Sequence, residues 1–472
     1  MKKCVVAALV GVCGWMVLAA GEPLTPFGRY VVAVEAETAK DAGWQKVVAA
    51  LRMKYRATVL TYVPGELDAL LPALRKAAPR YVCFVTKPEH AGRDLIVGAA
   101  QTLRKIDDDP YGDALWGVVT GYEAADALRI VSNPKPMAIK QIATSMGNPD
   151  CLNDWEGGFA SNEANRNEFW TKKPGGTTVA ERVEPDPAEA LAKAFNQIPI
   201  DYWMTSGHAS ERDWQIIYNQ NAGSLKHKDG ELFFVSPSGG RYPMASKNPK
   251  VYIAAGNCLI GNIDKPDCMA TAWMHTGGVS QMLGYTVPTF YGFMGWGTKS
   301  LFECGRHSVA EAYFLNNQIL LWTLGQVNGG LRDEPLDPKG PFDVRDILRK
   351  LAGKVHSQDE LGLIWDRDTV AFYGDPAWRV TYPEKRRDIA IDVVKNEISL
   401  RFLRDVTFPD KIDIKGTRPV GVLLNTPPPK NAKLVDAATG EPVPNAVVTE
   451  LFALIPLTGK QEQGKRLRYV VK

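Results

Sequence analysis

Short apolar runs alternate with amphipathic stretches along most of the chain. Tyr30-Val31-Val32-Ala33-Val34, Ala57 to Val63 and Tyr81 to Val85 read as buried strands, and helical spacing fills Asp41 to Tyr55 and Glu66 to Ala77 between them. Strands alternating with helices of this length predict a parallel sheet covered on both faces, here over residues 28–134. A second such unit occupies residues 135–381, with strands expected at Trp203 to Ser206, Leu232 to Val235, Val251 to Ala255 and Val279 to Leu283, and helices near Pro187 to Asn196, Asp267 to His275 and Ser308 to Leu324. Residues 146–182, rich in Gly, Asn, Asp, Glu and Pro, read as a long loop, a length usually reserved for function or disorder. Beyond Tyr382 the pattern changes. Runs at Ile389 to Val393, Glu397 to Phe402, Val420 to Leu424 and Ala446 to Val448, broken by Pro and Gly, predict a small β-sandwich over 382–472.

Composition narrows the setting. Residues 1–21 combine Lys2 and Lys3, an apolar centre from Val5 to Ala20, and small residues at Ala19, Ala20 and Gly21. That is the pattern of a cleaved secretory signal, with too short a centre for a membrane span, and no later stretch is long enough for one. A soluble exported protein is expected, whether periplasmic, on the cell surface or secreted. Removing Lys2 and Lys3 takes the formal charge from +3 to about +1, and no basic run stands out, so neither nucleic acid nor an anionic membrane is an implied partner. At 472 residues and 45% hydrophobic content the chain can bury a large core, in two or three domains. Of its 7 cysteines, Cys4 and Cys13 leave with the signal, and an odd number remains: Cys83, Cys151, Cys258, Cys268 and Cys304. A leftover thiol in an oxidising compartment is either a buried small hydrophobe or a functional group. No C-x-x-C or H-x-x-x-H spacing occurs and Gly277-Gly278 does not follow a phosphate-loop pattern, so neither a built-in zinc site nor a nucleotide cradle is expected.

Two segments carry candidate chemistry: Thr205-Ser206-Gly207-His208-Ala209-Ser210-Glu211 and Ala254-Ala255-Gly256-Asn257-Cys258-Leu259-Ile260-Gly261. Each follows a strand-like run, which puts His208 and Cys258 at the strand ends where parallel sheets bind ligands. A thiol and an imidazole there form a cysteine nucleophile with its base, and their separation of 50 positions is that of caspase-type folds.

The residues themselves resemble a family. Gly-His-Ala-Ser-Glu-Arg-Asp-Trp at 207–214 is similar to the segment around the catalytic histidine of gingipain cysteine peptidases, and Asn257 to Gly261 resembles their nucleophile segment. Thr289 to Gly297 and Phe372-Tyr373-Gly374-Asp375-Pro376 resemble two further stretches, so the likeness covers roughly residues 28–472. It implies a caspase/gingipain-like catalytic region of two α/β subdomains followed by an immunoglobulin-like β-sandwich. It also implies an exported cysteine endopeptidase acting on protein or peptide substrates through a thioester, with Cys258 as nucleophile and His208 as base. The backbone N–H groups of Cys258 and Ala209 would form the oxyanion hole, Ala209 standing where the family usually has glycine. Glu156, in Trp155-Glu156-Gly157-Gly158, is the candidate orienting residue. Asp154 and Glu163 are candidates to line a pocket for a basic side chain, and Tyr291 and Trp296 to wall the cleft. The chemistry needs no cofactor; a structural calcium ion and the oligomeric state are left open. The alternative is a non-catalytic protein of the same fold that binds a peptide or a cell-surface partner.

Overall fold

The computed structural model describes residues 29–181, 186–216, 222–337, 344–410 and 418–472; the expected signal, residues 1–21, lies outside them. One sheet of 12 strands runs in the order Thr58–Tyr62, Tyr30–Glu35, Tyr81–Val85, Leu115–Val119, Val370–Tyr373, Val279–Tyr285, Lys250–Ala254, Tyr202–Thr205, Gln141–Thr144, Gly157–Asn162, Asn165–Lys172, Val179–Ala180. Tyr30–Glu35, Leu115–Val119, Lys250–Ala254 and Val279–Tyr285 are buried along their whole length, as strands covered on both faces must be. Helices pack over them with capped ends. Asp41 accepts from the N–H groups of Gly43 and Trp44 at the start of Ala42–Tyr55, and Ser308 and Glu311 cap Val309–Arg332 reciprocally.

The sheet is mostly parallel but not wholly so. Val279–Tyr285 pairs antiparallel with Val370–Tyr373, which is itself parallel to Leu115–Val119. The two alternating units therefore share one sheet, and their strands point in opposite directions. Val370–Tyr373 was absent from the expected strands because a short, fully buried run has no alternation to betray it.

Two further expectations are corrected. Glu231–Val235, which contains the expected strand at Leu232, lies outside the large sheet, in a four-stranded antiparallel sheet with Asp213–Gln215, Ser224–Lys228 and Arg241–Met244. The turn decides this: Asp229 and Gly230 both have positive φ (52° and 76°), which folds the chain back as a tight hairpin. Residues 146–182 are not one loop, since Gly157–Asn162, Asn165–Lys172 and Val179–Ala180 extend the large sheet. Gly158 makes that extension feasible, because its φ is +144° and a Cβ would fall 2.0 Å from Ile142 O.

The C-terminal part forms small antiparallel sheets. Ile389–Val394, Glu397–Phe402, Arg466–Val471 and Leu434–Asp436 make one, and Val420–Leu423, Phe452–Ile455 and Val447–Val448 another. They enclose a second apolar core that includes Ile398, Leu400, Val422 and Ile455. Trp322 Nε1 donates to Asn445 O at 2.9 Å, and Arg306 grips Asp388 with two 2.6 Å bonds, holding this part to the α/β region.

Candidate active site

Tyr202–Thr205 and Lys250–Ala254 are parallel neighbours with Thr205 opposite Ala254, so the histidine and cysteine loops leave the sheet side by side. One residue fastens them together. Asn257 is fully buried; its Nδ2 donates to Gly207 O at 3.1 Å, and its Oδ1 accepts from Thr205 Oγ1 at 2.7 Å. The residue ahead of Cys258 is thus bonded to the residue ahead of His208. Nothing in the sequence assigned Asn257 a role; its only signal was its place beside the cysteine.

Each loop is also fixed on its own. Trp214, buried, donates from Nε1 to Ser206 O at 2.7 Å, and Gln215 N–H donates to His208 O at 2.8 Å, closing a tight turn that leaves His208 exposed. Gly207 supplies the positive φ of +94° that this turn requires. On the other loop Leu259 has φ 58°, a left-handed conformation that costs a leucine about 1 kcal/mol. It is held there by its N–H bond to Val287 O at 3.1 Å, while Thr289 N–H donates to Cys258 Sγ at 3.2 Å.

Among the hydrogen bonds of the described residues, neither the Cys258 N–H nor the Ala209 N–H donates to a protein acceptor. Ala209 does not share the positive φ of Gly207, so a Cβ is accommodated there without strain. Trp296 stands beside the same loop. Its helix, Phe293–Glu303, is set by Asp366, whose Oδ2 accepts from Met294 N–H and Tyr285 OH at 2.9 Å each; burial pushes the Asp366 carboxyl up to about 7. Gly295 lies so close to the cysteine strand that a Cβ would sit 2.0 Å from Ala255 O, and the Trp296 ring comes within 3.5 Å of where a Gly256 Cβ would be. Tyr291 packs instead on Gly362 of the helix Gln358–Arg367.

The three candidate carboxylates separate. Glu163 caps the hairpin after Gly157–Asn162, and its Oε2 lies 3.7 Å from the Cβ position of Gly207. That oxygen is buried with no hydrogen-bond donor, and desolvation raises the carboxyl. Asp154 and Glu156 precede the same strand and lie at its other end. The Glu156 carboxylate faces Lys140 Nζ at 3.5 Å, and Asp154 pairs with Arg386. Neither the orienting role expected of Glu156 nor the pocket role expected of Asp154 survives this placement, because the intervening strand carries the chain about 20 Å across the sheet.

No family model matches the chain, and no curated protein sequence matches it. Among solved structures it is similar to the crystal structure of the Arg specific cysteine proteinase gingipain R, at 11% identity over 93% of this chain and 94% of that one, with a TM-score of 0.41. It is also similar to a structure described as a protease, at 11% identity over 95% of this chain and 98% of that one, with a TM-score of 0.38. The likeness is one of fold alone. What gingipain R cleaves is a property of gingipain R, and the chemistry of the present chain rests on its own residues.

Cys83, Cys151, Cys258, Cys268 and Cys304 are all unpaired, and burial pushes the thiols of Cys83, Cys268 and Cys304 up. A separate carboxylate group joins the two parts of the chain: Asp107, Asp109 and Glu450 bring oxygens within 4.8 Å of one another, a donor set of the kind hard divalent cations take. Beside it, burial and the charges of Asp107 and Asp109 push Asp113 up to about 9. A carboxyl raised in the folded state contributes stability that is complete below its unfolded value of about 4 and is lost as pH rises toward the folded one. Asp113→Asn should therefore be near neutral at pH 3.5 and increasingly stabilising as pH rises to 8 in the absence of divalent cations. Urea unfolding at the two pH values checks this; an equal effect at both would contradict it.

Proposed function

We propose that this chain is a cysteine-type endopeptidase, exported under the signal at residues 1–21 and carrying an immunoglobulin-like C-terminal part. The observation that supports it most is the Asn257 fastening, which brings together the residues ahead of His208 and Cys258 while the N–H groups of Cys258 and Ala209 remain unspent. His208 takes the proton from Cys258 Sγ, and the sulfur attacks a peptide carbonyl. The two free N–H groups receive the developing oxyanion. Collapse expels the amine, which leaves with the proton from His208, and a thioester remains. Water activated by His208 then attacks the thioester, the acid product departs, and Cys258 is restored.

Glu163 supplies selectivity in this reading. Glu163 is half-buried with one carboxylate oxygen, Oε2, shut away from any donor, and an arginine or lysine side chain entering beside Gly207 relieves that cost. Glu163→Gln should reduce kcat/KM by about 10–100-fold for peptides with arginine before the scissile bond and by less than about twofold for matched neutral peptides. Steady-state kinetics on the pair measure it; an equal loss on both would remove Glu163 from the specificity pocket. The activity itself is tested with the protein from residue 22 onward, reduced, against a diverse peptide library. Cleavage lost in both Cys258→Ala and His208→Ala is the expected result, and cleavage retained in either contradicts the assignment.

A further inference from the structure

One residue of the C-terminal part reaches the helix that carries Trp296. Arg418, two positions ahead of the strand Val420–Leu423, is partly buried; its guanidinium carbon lies 4.0 Å from the centre of the Phe293 ring, and its Nη1 donates to Asn316 Oδ1. Docking of that strand fixes where the side chain can reach. A Cβ on Gly421 would lie 3.1 Å from the Leu315 side chain, and Phe452 of the neighbouring strand meets Phe314 and Tyr111 edge-on. Arginine can stack on an aromatic face and donate from its planar edge at once, which lysine cannot.

Asn316 passes this contact to the helix Phe293–Glu303. It is fully buried, and its Nδ2 donates to the first carbonyls of that helix, Phe293 O at 3.1 Å and Met294 O at 3.2 Å. A side-chain amide can turn over and exchange its oxygen for its nitrogen. By donating to Oδ1, Arg418 fixes the orientation that presents N–H groups, and not the oxygen, to those carbonyls. The N–H groups of the same turn are held separately, Met294 by Asp366 and Gly295 by the Tyr285 hydroxyl at 3.0 Å. The backbone is thus bonded on both its donor and acceptor groups directly ahead of Trp296. On the far side of Trp296, a Cβ on Gly297 would collide with the Arg418 guanidinium and with Asn316 Oδ1.

We propose that Arg418 is a positioning residue for the substrate cleft: through Asn316 the C-terminal part sets the start of the helix, and with it the Trp296 ring beside the Cys258 loop. The bonds that fix the Cys258 loop run through Asn257, Val287 O and Thr289 N–H, and Arg418 is not among them. Its loss therefore acts on how tightly a ligand is held in the cleft and not on the thiol. That the ligand is a substrate rests on the peptidase reading; that Arg418 sets Trp296 does not.

The experiment separates the two. The protein from residue 22 onward is assayed on a fluorescein-labelled octapeptide with arginine before the scissile bond. Arg418→Met is expected to raise KM about 5–10-fold with kcat within about twofold, and Arg418→Lys, which keeps the charge, about 2–3-fold. Gly297→Ala favours the helix but displaces the guanidinium, and should raise KM as Arg418→Met does. In a Trp296→Ala background Arg418→Met should add less than about twofold, because the residue through which it acts is gone. The iodoacetamide rate of Cys258 should stay within about twofold of the parent, which a general loosening of the structure would not allow. An unchanged KM in Arg418→Met overturns the positioning role and leaves the peptidase reading intact. So does a loss that adds in full to that of Trp296→Ala, or one that falls on kcat and on labelling. If the parent hydrolyses nothing, the peptidase reading falls, and the Kd of the same peptide by anisotropy decides. Weakening of about 5–10-fold in Arg418→Met, absent in the Trp296→Ala background, keeps Arg418 as the residue that sets a binding cleft. Equal or unmeasurable Kd values overturn it.

Discussion

Cys258→Ala protein is expected to hydrolyse peptides at least about 10⁴-fold more slowly than the parent, and His208→Ala about 10³-fold more slowly, with the double variant no worse than Cys258→Ala alone. The non-additivity is the informative part. A nucleophile and its base act as one unit, so removing the second after the first costs nothing further. Both side chains sit on loops beyond the strands, with His208 exposed and Cys258 partly so, and neither contributes to the core; melting temperatures should stay within a few degrees of the parent. Full additivity of the two losses would mean that the groups act separately.

The second large effect is expected at Asn257. Replacing it with alanine removes the bond to Gly207 O and the bond from Thr205 Oγ1, and leaves buried polar groups without partners. That should cost about 2–4 kcal/mol of stability and lower kcat about 100-fold, because the two loops lose their common anchor. The same variant should leave the melting behaviour of the C-terminal core, around Leu400 and Ile455, unchanged. An Asn257→Ala protein with parental kcat would show that the loops hold their relative positions without it.

The elements legible from sequence were those whose burial is uniform or whose ends are marked. Tyr81–Val85 and Glu397–Phe402 have the predicted bounds, and Ala42–Tyr55 begins at the residue after its Asp41 cap. The strands leading to His208 and Cys258 were legible for the same reason, three or four apolar residues followed by small and polar ones. Position between elements was not legible. The antiparallel step at Val370–Tyr373 and the hairpin at Asp229-Gly230 depend on pairing partners distant in sequence, or on a turn whose two residues say nothing about which sheet receives them. The carboxylates show the same limit. Asp154, Glu156 and Glu163 lie within one short stretch, yet a single strand sends the first two to one end of the sheet and the third to the histidine loop.

The joint action of Cys258 and His208 is tested most directly by the rate at which iodoacetamide labels each cysteine at neutral pH, resolved by mass spectrometry, in the parent and in His208→Ala. The parent should be labelled at Cys258 about 100-fold faster than at Cys151, which is also partly exposed, and the His208→Ala change should bring Cys258 down to the Cys151 rate. Equal labelling of Cys258 and Cys151 in the parent, or a Cys258 rate indifferent to His208, would contradict the dyad.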